Sequence, residues 1–310
     1  MSALICGSMA FDTIMVFQDQ FKNHILPEQV HILNVSFLVP ELRREFGGCA
    51  GNIAYNLKLL GGEGKAMATV GADFGAYAEW MDENELSRDH IRVIADSYTA
   101  QAYITTDRDD NQITAFHPGA MNRSHLVKVE EAKGCTIGIV SPDGRQGMIE
   151  HAQQFVEQGI PFIFDPGQGM PMFDGDDLTR FMQQATWLAF NDYEAKLMQD
   201  RTGLTPEQMA QEVEAVVITR GGEGSLIYTR KKVYEIPAAP VANVIDPTGC
   251  GDAYRAGLLY GLMNSMDWET TGRIASLMGA IKIEEAGTQN HRFLCDEFSQ
   301  CFNIAFGYSL

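Results

Sequence analysis

Asp246-Pro-Thr-Gly-Cys-Gly-Asp252-Ala-Tyr-Arg-Ala-Gly257 sets two carboxylates around a glycine-punctuated turn, with a helix predicted just after it. Such a turn can aim several backbone N–H groups at one point. The positive end of the helix dipole adds to them, so the point suits an anion such as phosphate. Asp252 stands at the helix mouth, where a carboxylate can take a proton from an attacking hydroxyl. An anion cradle beside a base is the minimum equipment for moving a phosphoryl group onto an alcohol. Read alone, the stretch fits equally well an ordinary loop-to-helix turn whose acids favour the helix dipole. It is not a P-loop, since no lysine follows it. At Gly64-Lys65 the P-loop pattern also fails, because Leu59 fills the first glycine position and Ala66 follows the lysine.

Upstream of this turn, from about residue 135, apolar runs predict strands at 136–140, 161–165, 186–190 and 215–219. Helical patterns at 147–158, 193–200 and 206–213 lie between them. Such alternation implies a parallel sheet covered on both faces. Residues 3–7 read as a short buried strand, and 67–71 as another. Ile53, Ala54, Leu57 and Leu60 recur at helical spacing before Gly61-Gly62 stops the helix. The 224–234 region reads as a hairpin, and the chain after Asp252 as mostly helical. Residues 97–107 and 112–117 each suit a strand, joined by a turn at Asp109-Asp110-Asn111. With parts of 13–46 they predict a small separate sheet built from two excursions of the chain.

Composition bounds the function. The 310 residues are 45% hydrophobic, enough for a sizeable core, and the formal net charge is -18. That balance excludes a general nucleic-acid surface, which needs clustered Lys and Arg. Six cysteines are scattered without a C-x-x-C pair, which predicts reduced thiols in a cytoplasmic protein. The N-terminus lacks a basic region, Asp12 interrupts its apolar stretch, and no run is long enough to span a membrane.

Three further segments carry chemistry. Gly47-Gly48-Cys-Ala-Gly51-Asn52 opens a helix. Its small residues serve a helix entry, or let a polyol approach the backbone with Asn52 as donor and acceptor. Asp12, after the first strand, could accept from hydroxyls at the same place. Asn191-Asp-Tyr-Glu194 suits a helix N-cap, or the organisation of Mg²⁺ and its waters by Asn191 and Glu194. Thr219-Arg-Gly221-Gly-Glu-Gly224 is either a hairpin connector or a loop against which phosphates and ribose can lie. It is not G-x-G-x-x-G followed by a helix, so a Rossmann reading is poor.

The order of these motifs along the chain resembles that of the ribokinase family, the PfkB carbohydrate kinases. Val70-Gly-Ala-Asp73-Phe-Gly75 adds to the likeness, which covers essentially the whole chain. Ser36-Phe-Leu-Val39, Phe116-His-Pro-Gly-Ala-Met121 and Gly287-Thr-Gln289 resemble the bacterial adenosine kinase branch. The resemblance implies an α/β/α sandwich, a central mostly parallel sheet and a small β-sheet lid. The core would be residues 1–12, 47–96 and 122–310, and the discontinuous lid 13–46 and 97–121. It implies Asp252 as base and Gly249, Cys250 and Gly251 as anion hole. Asp12, Gly48 and Asn52 would hold ribose hydroxyls, with Ser8 assisting. Phe116 would stack on the base, and Gln168 would line the same pocket. Asn191, Thr219, Gly221, Gly224 and Gly251 would meet the nucleotide, and Glu194 with Asn191 would hold Mg²⁺ through water.

The implied reaction is ATP-dependent phosphorylation of adenosine at its 5′-hydroxyl, as in purine salvage. A monovalent cation such as K⁺ near Asp246 and the Gly287 turn, and a homodimer through the lid, are further implications. Two positions depart from the pattern: Cys250 replaces a small apolar residue, and Ala102 lies where a second stacking aromatic is expected. Tyr103 is adjacent to Ala102 but faces the other way if this is a strand. The alternatives are a related kinase acting on inosine, guanosine, cytidine, ribose or a hexose, and a nucleoside-binding regulator without catalysis.

Overall fold

A computed structural model describes residues 1–25, 32, 34–109 and 111–310. Asp110 of the predicted turn, and 26–31 and 33 of the first excursion, lie outside the described residues. The chain opens with β1 (Ser2–Cys6) and β2 (Ala10–Val16), and β3 (Glu41–Gly47) leads into α1 (Cys49–Leu59). β4 (Glu63–Gly71), α2 (Gly75–Glu83), β5 (His90–Ile94), β6 (Ala100–Thr106) and β7 (Gln112–His117) follow. Next come β8 (Cys135–Val140), α3 (Arg145–Gln158), β9 (Phe162–Phe164), α4 (Gly175–Gln184), β10 (Trp187–Asn191), α5 (Asp192–Thr202), α6 (Pro206–Glu212) and β11 (Ala215–Thr219). β12 (Ser225–Tyr228), β13 (Val233–Ile236), α7 (Cys250–Met263), α8 (Trp268–Ile283) and α9 (Cys295–Phe306) end the chain.

The large sheet runs β13-β12-β11-β10-β9-β8-β1-β4-β5. It is parallel from β5 to β11 and antiparallel at the β12–β13 hairpin. Every residue of β1 is buried, and its side chains alternate between two cores. Ala3 and Ile5 join the core under α1 and α7, whereas Leu4 and Cys6 join the one under α3 and α4. A strand covered on both faces must be apolar throughout, which is why Ala-Leu-Ile-Cys reads as a continuous run. Fully burying a side chain such as Leu4 or Ile5 is worth about 1.5–3 kcal/mol. The strand order reverses at β1, which has β4 on one side and β8 on the other. In open α/β sheets ligands bind beyond the carboxyl ends of the strands at such a switch point. Ser8, Asp165, Asn191 and Thr219 all sit at that edge.

A second, four-stranded sheet has the order β3-β2-β6-β7. Its outer pairs are antiparallel and its central β2–β6 pair parallel, so both excursions of the chain contribute. The sequence did not announce β5 or α4. β5 is an edge strand whose Val93 is exposed while Ile94 is buried, so no sustained apolar run marks it. Among the described residues no helix is long and apolar enough to cross a membrane.

Candidate active site

The 246–257 turn folds as a helix entry. Gly249 caps α7 with φ +79°, and a Cβ there would come within 3.0 Å of the Thr288 side chain. The first-turn N–H groups of a helix have no intrahelical acceptor, and those of Gly251 and Asp252 remain available to an anion; the Cys250 N–H, expected in the same cradle, instead bonds to the Pro247 carbonyl at 3.2 Å. The space beside Gly251 is open. Burial pushes the Cys250 thiol up to about 11.

Asp252 lies in the first turn and accepts from Asn52 Nδ2 at 2.7 Å, joining segments 200 residues apart. Asn52 is oriented by Gln289, whose Nε2 donates to Asn52 Oδ1 at 2.9 Å and to the Tyr77 hydroxyl at 2.6 Å. Tyr77 in turn donates to the Gly47 carbonyl, and Trp80 Nε1 to Gln289 Oε1. This chain leaves the Asn52 amide one sensible orientation, NH₂ toward the carboxylate. Burial is the largest influence on Asp252; the Asn52 bond opposes it, Asp165 adds to it, and the carboxyl ends at about 6.

Below Asp252 lies a buried ion pair absent from the sequence reading. Arg255, one turn further along α7, donates to Asp165 at 2.9 Å, both almost fully buried. The signal available was a lone arginine on the apolar face Ala253-Tyr-Arg255-Ala-Gly257 and an aspartate closing a strand.

Gly48 adopts φ +87°, and a Cβ there would lie 2.5 Å from the Ser8 carbonyl, so the backbone of α1's entry packs directly on the β1–β2 turn. Ser8 Oγ accepts from the Cys49 N–H, capping that helix. On the small sheet, Glu45, Asp12, Ala102 and Phe116 are aligned in register across four strands. Side chains so paired share a face. Asp12 and Phe116 are two strands apart, roughly 10 Å. Asp12 is half-buried against Gly47; partial burial, then the charges of Asp246 and Glu45, raise its carboxyl to about 6. Phe116 is 53% exposed, an aromatic face open to a ligand. Tyr103 bonds to Gln101 on the opposite face. A cleft of ≈ 370 Å³ between the small sheet and the 246–248 turn is lined by Ile14, Arg43, Ile104, Asp246 and Thr248 among others.

At the far end of the edge, Asn191 and Glu194 form a capping box on α5. Asn191 Oδ1 accepts from the Glu194 N–H, and Glu194 accepts from the Asn191 N–H and Nδ2. Thr219 pairs with Asn191 in the sheet, and Gly221–Glu223 form a tight turn after it. Gln168 stands exposed beyond β9. It makes no hydrogen bond to the other site residues. Among the described residues no cluster of three His, Cys, Asp or Glu could hold a metal ion by itself. Oxygen donors such as Glu194 and Asn191 fit Mg²⁺ that keeps its waters and rides on phosphates.

A half-buried carboxylate, Asp252, a glycine-entered helix and two further glycine loops thus share one sheet edge. The model of the pfkB family carbohydrate kinases matches residues 11–292. The chain belongs to the pfkB family. The nucleoside kinase of Burkholderia thailandensis, solved in complex with inosine, has 53% sequence identity and a TM-score of 0.91, with 99% of each chain covered. The same kinase in complex with ADP-inosine has 55% identity and a TM-score of 0.88, covering 99% of this chain and 97% of that one. The nucleoside kinase of Methanothermobacter thermautotrophicus is 31% identical over 98% of this chain and 96% of its own. The adenosine kinase of Saccharomyces cerevisiae is 28% identical over 80% of this chain and 81% of its own. Family membership makes the reaction class phosphoryl transfer to an alcohol.

Proposed function

We propose that this pfkB-family protein is an ATP-dependent nucleoside kinase that phosphorylates the ribose 5′-hydroxyl of purine ribonucleosides. Inosine stands beside adenosine as acceptor. The observation that carries this reading is the alignment of Asp12, Ala102 and Phe116 in one row, with Asp12 against Gly47 at the entry of α1, the helix whose Asn52 bonds to Asp252. An acid for ribose hydroxyls and an aromatic for a base stand a nucleoside's length apart. With Ala102 between them, only one aromatic wall faces the base, which suits tolerance of several purines. The inosine complexes of the Burkholderia relative support the breadth, and the yeast adenosine kinase supports adenosine.

In this reading Asp12, Gly48 and Asn52 hold the ribose, Ser8 shapes the turn beneath it, and Gln168 faces the base edge. Asp252, ionised above about pH 6, receives the 5′-hydroxyl proton as the oxygen attacks the γ-phosphorus and ADP leaves. The turn of Gly249, Cys250 and Gly251 receives charge on the transferred group, the Cys250 N–H being shared with the Pro247 carbonyl. Thr219, Gly221 and Gly224 carry the nucleotide, with Asn191 and Glu194 holding Mg²⁺ through water. Bound Mg²⁺ would neutralise phosphate charge. The small sheet closes as a lid and excludes competing water. A coupled ADP-release assay over nucleosides and free sugars tests the proposal. Preference for purine nucleosides is expected; preference for ribose or fructose, or nucleoside binding without turnover, overturns it.

A further inference from the structure

The place expected for a monovalent cation, beside Asp246 and the Gly287 turn, already holds a positive charge. Lys282, in the last turn of α8, has no exposed surface. Its Nζ donates to the carbonyl oxygens of Asp246 at 2.7 Å and Glu285 at 3.1 Å. It makes no salt bridge among the described residues; the nearby Asp246 carboxylate is occupied by the N–H groups of Thr248 and Gly287. The Ile245 and Asp246 N–H groups bond to the Ile283 carbonyl, so turn and helix end are stitched together around the ammonium.

A buried cation coordinated by backbone carbonyls, at the negative end of a helix dipole, is the environment an alkali ion would need. An alkali ion placed against the same two oxygens would overlap the ammonium. The residues present therefore do not fit a bound K⁺. A buried lysine normally sheds its charge unless something holds it. Here burial lowers its pKa while Asp246, Cys250 and Glu285 act the other way. The lysine also braces two catalytic segments at once. Residues 246–249 run directly into the anion-hole turn, and 285–289 run to Gln289, which orients Asn52 against Asp252.

We infer that Lys282 is a covalently tethered replacement for a monovalent cation, which orders the 246–251 turn and frees the kinase from K⁺. The inference rests on reading residues 249–251 as an anion hole. Lys282 touches neither substrate nor nucleotide, so it is a positioning residue.

The test compares KCl, NaCl and tetramethylammonium chloride at equal ionic strength, using thermal melts of the unliganded protein and the ADP-release assay. The wild type is expected to show equal Tm and equal kcat in all three salts. Lys282→Met should lose kcat by about tenfold in tetramethylammonium, less than removal of a direct transition-state donor. KCl should restore part of that loss and raise the Tm of this variant specifically. A wild type whose Tm or kcat rises specifically with K⁺ overturns the inference, as does a Lys282→Met protein with full activity or with no rescue. If the variant does not fold, the wild-type salt series still decides. If no nucleoside is turned over, the functional proposal fails alone, because the melts report on the cation independently.

Discussion

Asp252→Asn should leave the protein more stable and nearly inactive. In the folded protein the Asp252 carboxyl titrates at about 6 instead of 3.8. That difference means the site disfavours the charge by about 3 kcal/mol. The carboxylate keeps some exposure to the cleft, so this value is a ceiling. The sign follows from proton linkage. Below about pH 4 the group is neutral in both states and contributes no penalty. Between about 4 and 6 the folded state holds the proton that the unfolded state has lost, so stability falls as pH rises, and above about 6 the penalty is complete. An amide at this position carries no charge and can still accept from Asn52 Nδ2. The variant should therefore gain up to ~3 kcal/mol at pH 8, about 5 °C in Tm for a chain of this size. The gain should shrink as pH falls through 6 toward 4. Denaturant titrations of both proteins at pH 8 and pH 4.5 measure it. In the kinase assay the same variant should lose ~10²–10⁴ in kcat, the range for a missing general base. Near-wild-type turnover would refute the catalytic reasoning. A gain absent at pH 8, or one independent of pH, would refute the electrostatic reasoning.

Other perturbations follow from the same geometry. Asn52→Leu removes the strongest influence holding Asp252 down, so the acid limb of kcat/KM should move upward from about pH 6 in a rate profile from pH 5 to 9. Arg255→Met strands the Asp165 carboxylate in the interior and should destabilise by about 3–5 kcal/mol in denaturant titration, as for other broken buried pairs. Phe116→Ala should weaken nucleoside binding by about 1–3 kcal/mol, the usual worth of base–aromatic stacking, read as a higher KM with kcat less affected. Alkylation followed by mass spectrometry should label the exposed Cys295 and Cys301 well before Cys250, whose thiol is held near 11.

How much of the site was legible depends on where each function is encoded. Asp252, Gly48 and Asn191 announce themselves because glycine turns, caps and helix entries are local, and local backbone needs leave a local residue pattern. The facing of Phe116 and Tyr103 followed from strand alternation alone. Asp165 with Arg255, and Asn52 with Gln289, are different. Their partners lie 90 and 237 residues apart, and nothing in the neighbourhood of either names the other. What the sequence offered was a charge out of place: Arg255 on an apolar helix face, and Lys282 between Ile281 and Ile283. Such residues seldom enter a core without a partner. The Asn191–Glu194 pair shows the converse limit, since its capping box is visible as a motif while any service to Mg²⁺ leaves the local pattern unchanged.

The segment from 282 to 291 now carries more weight than its short motif suggested. Lys282 and Gly287 hold the 246–251 turn through Asp246, and Thr288 Oγ1 donates to the Phe46 carbonyl at 2.6 Å, where β3 of the small sheet ends. Gln289 positions Asn52, and the His291 carbonyl accepts from Tyr55 in α1. One stretch of chain is thus bonded to the 246–251 turn, the small sheet and the helix that presents Asn52 to Asp252. If the small sheet moves on nucleoside binding, β3 cannot move without loading the Thr288 bond. That load falls on the neighbours of Gly287 and Gln289, which set the 246–251 turn and the orientation of Asn52. On the proposed function, closure over the nucleoside and assembly of the phosphoryl-transfer geometry would then be a single mechanical event, with the buried Lys282 ammonium at the root of this segment.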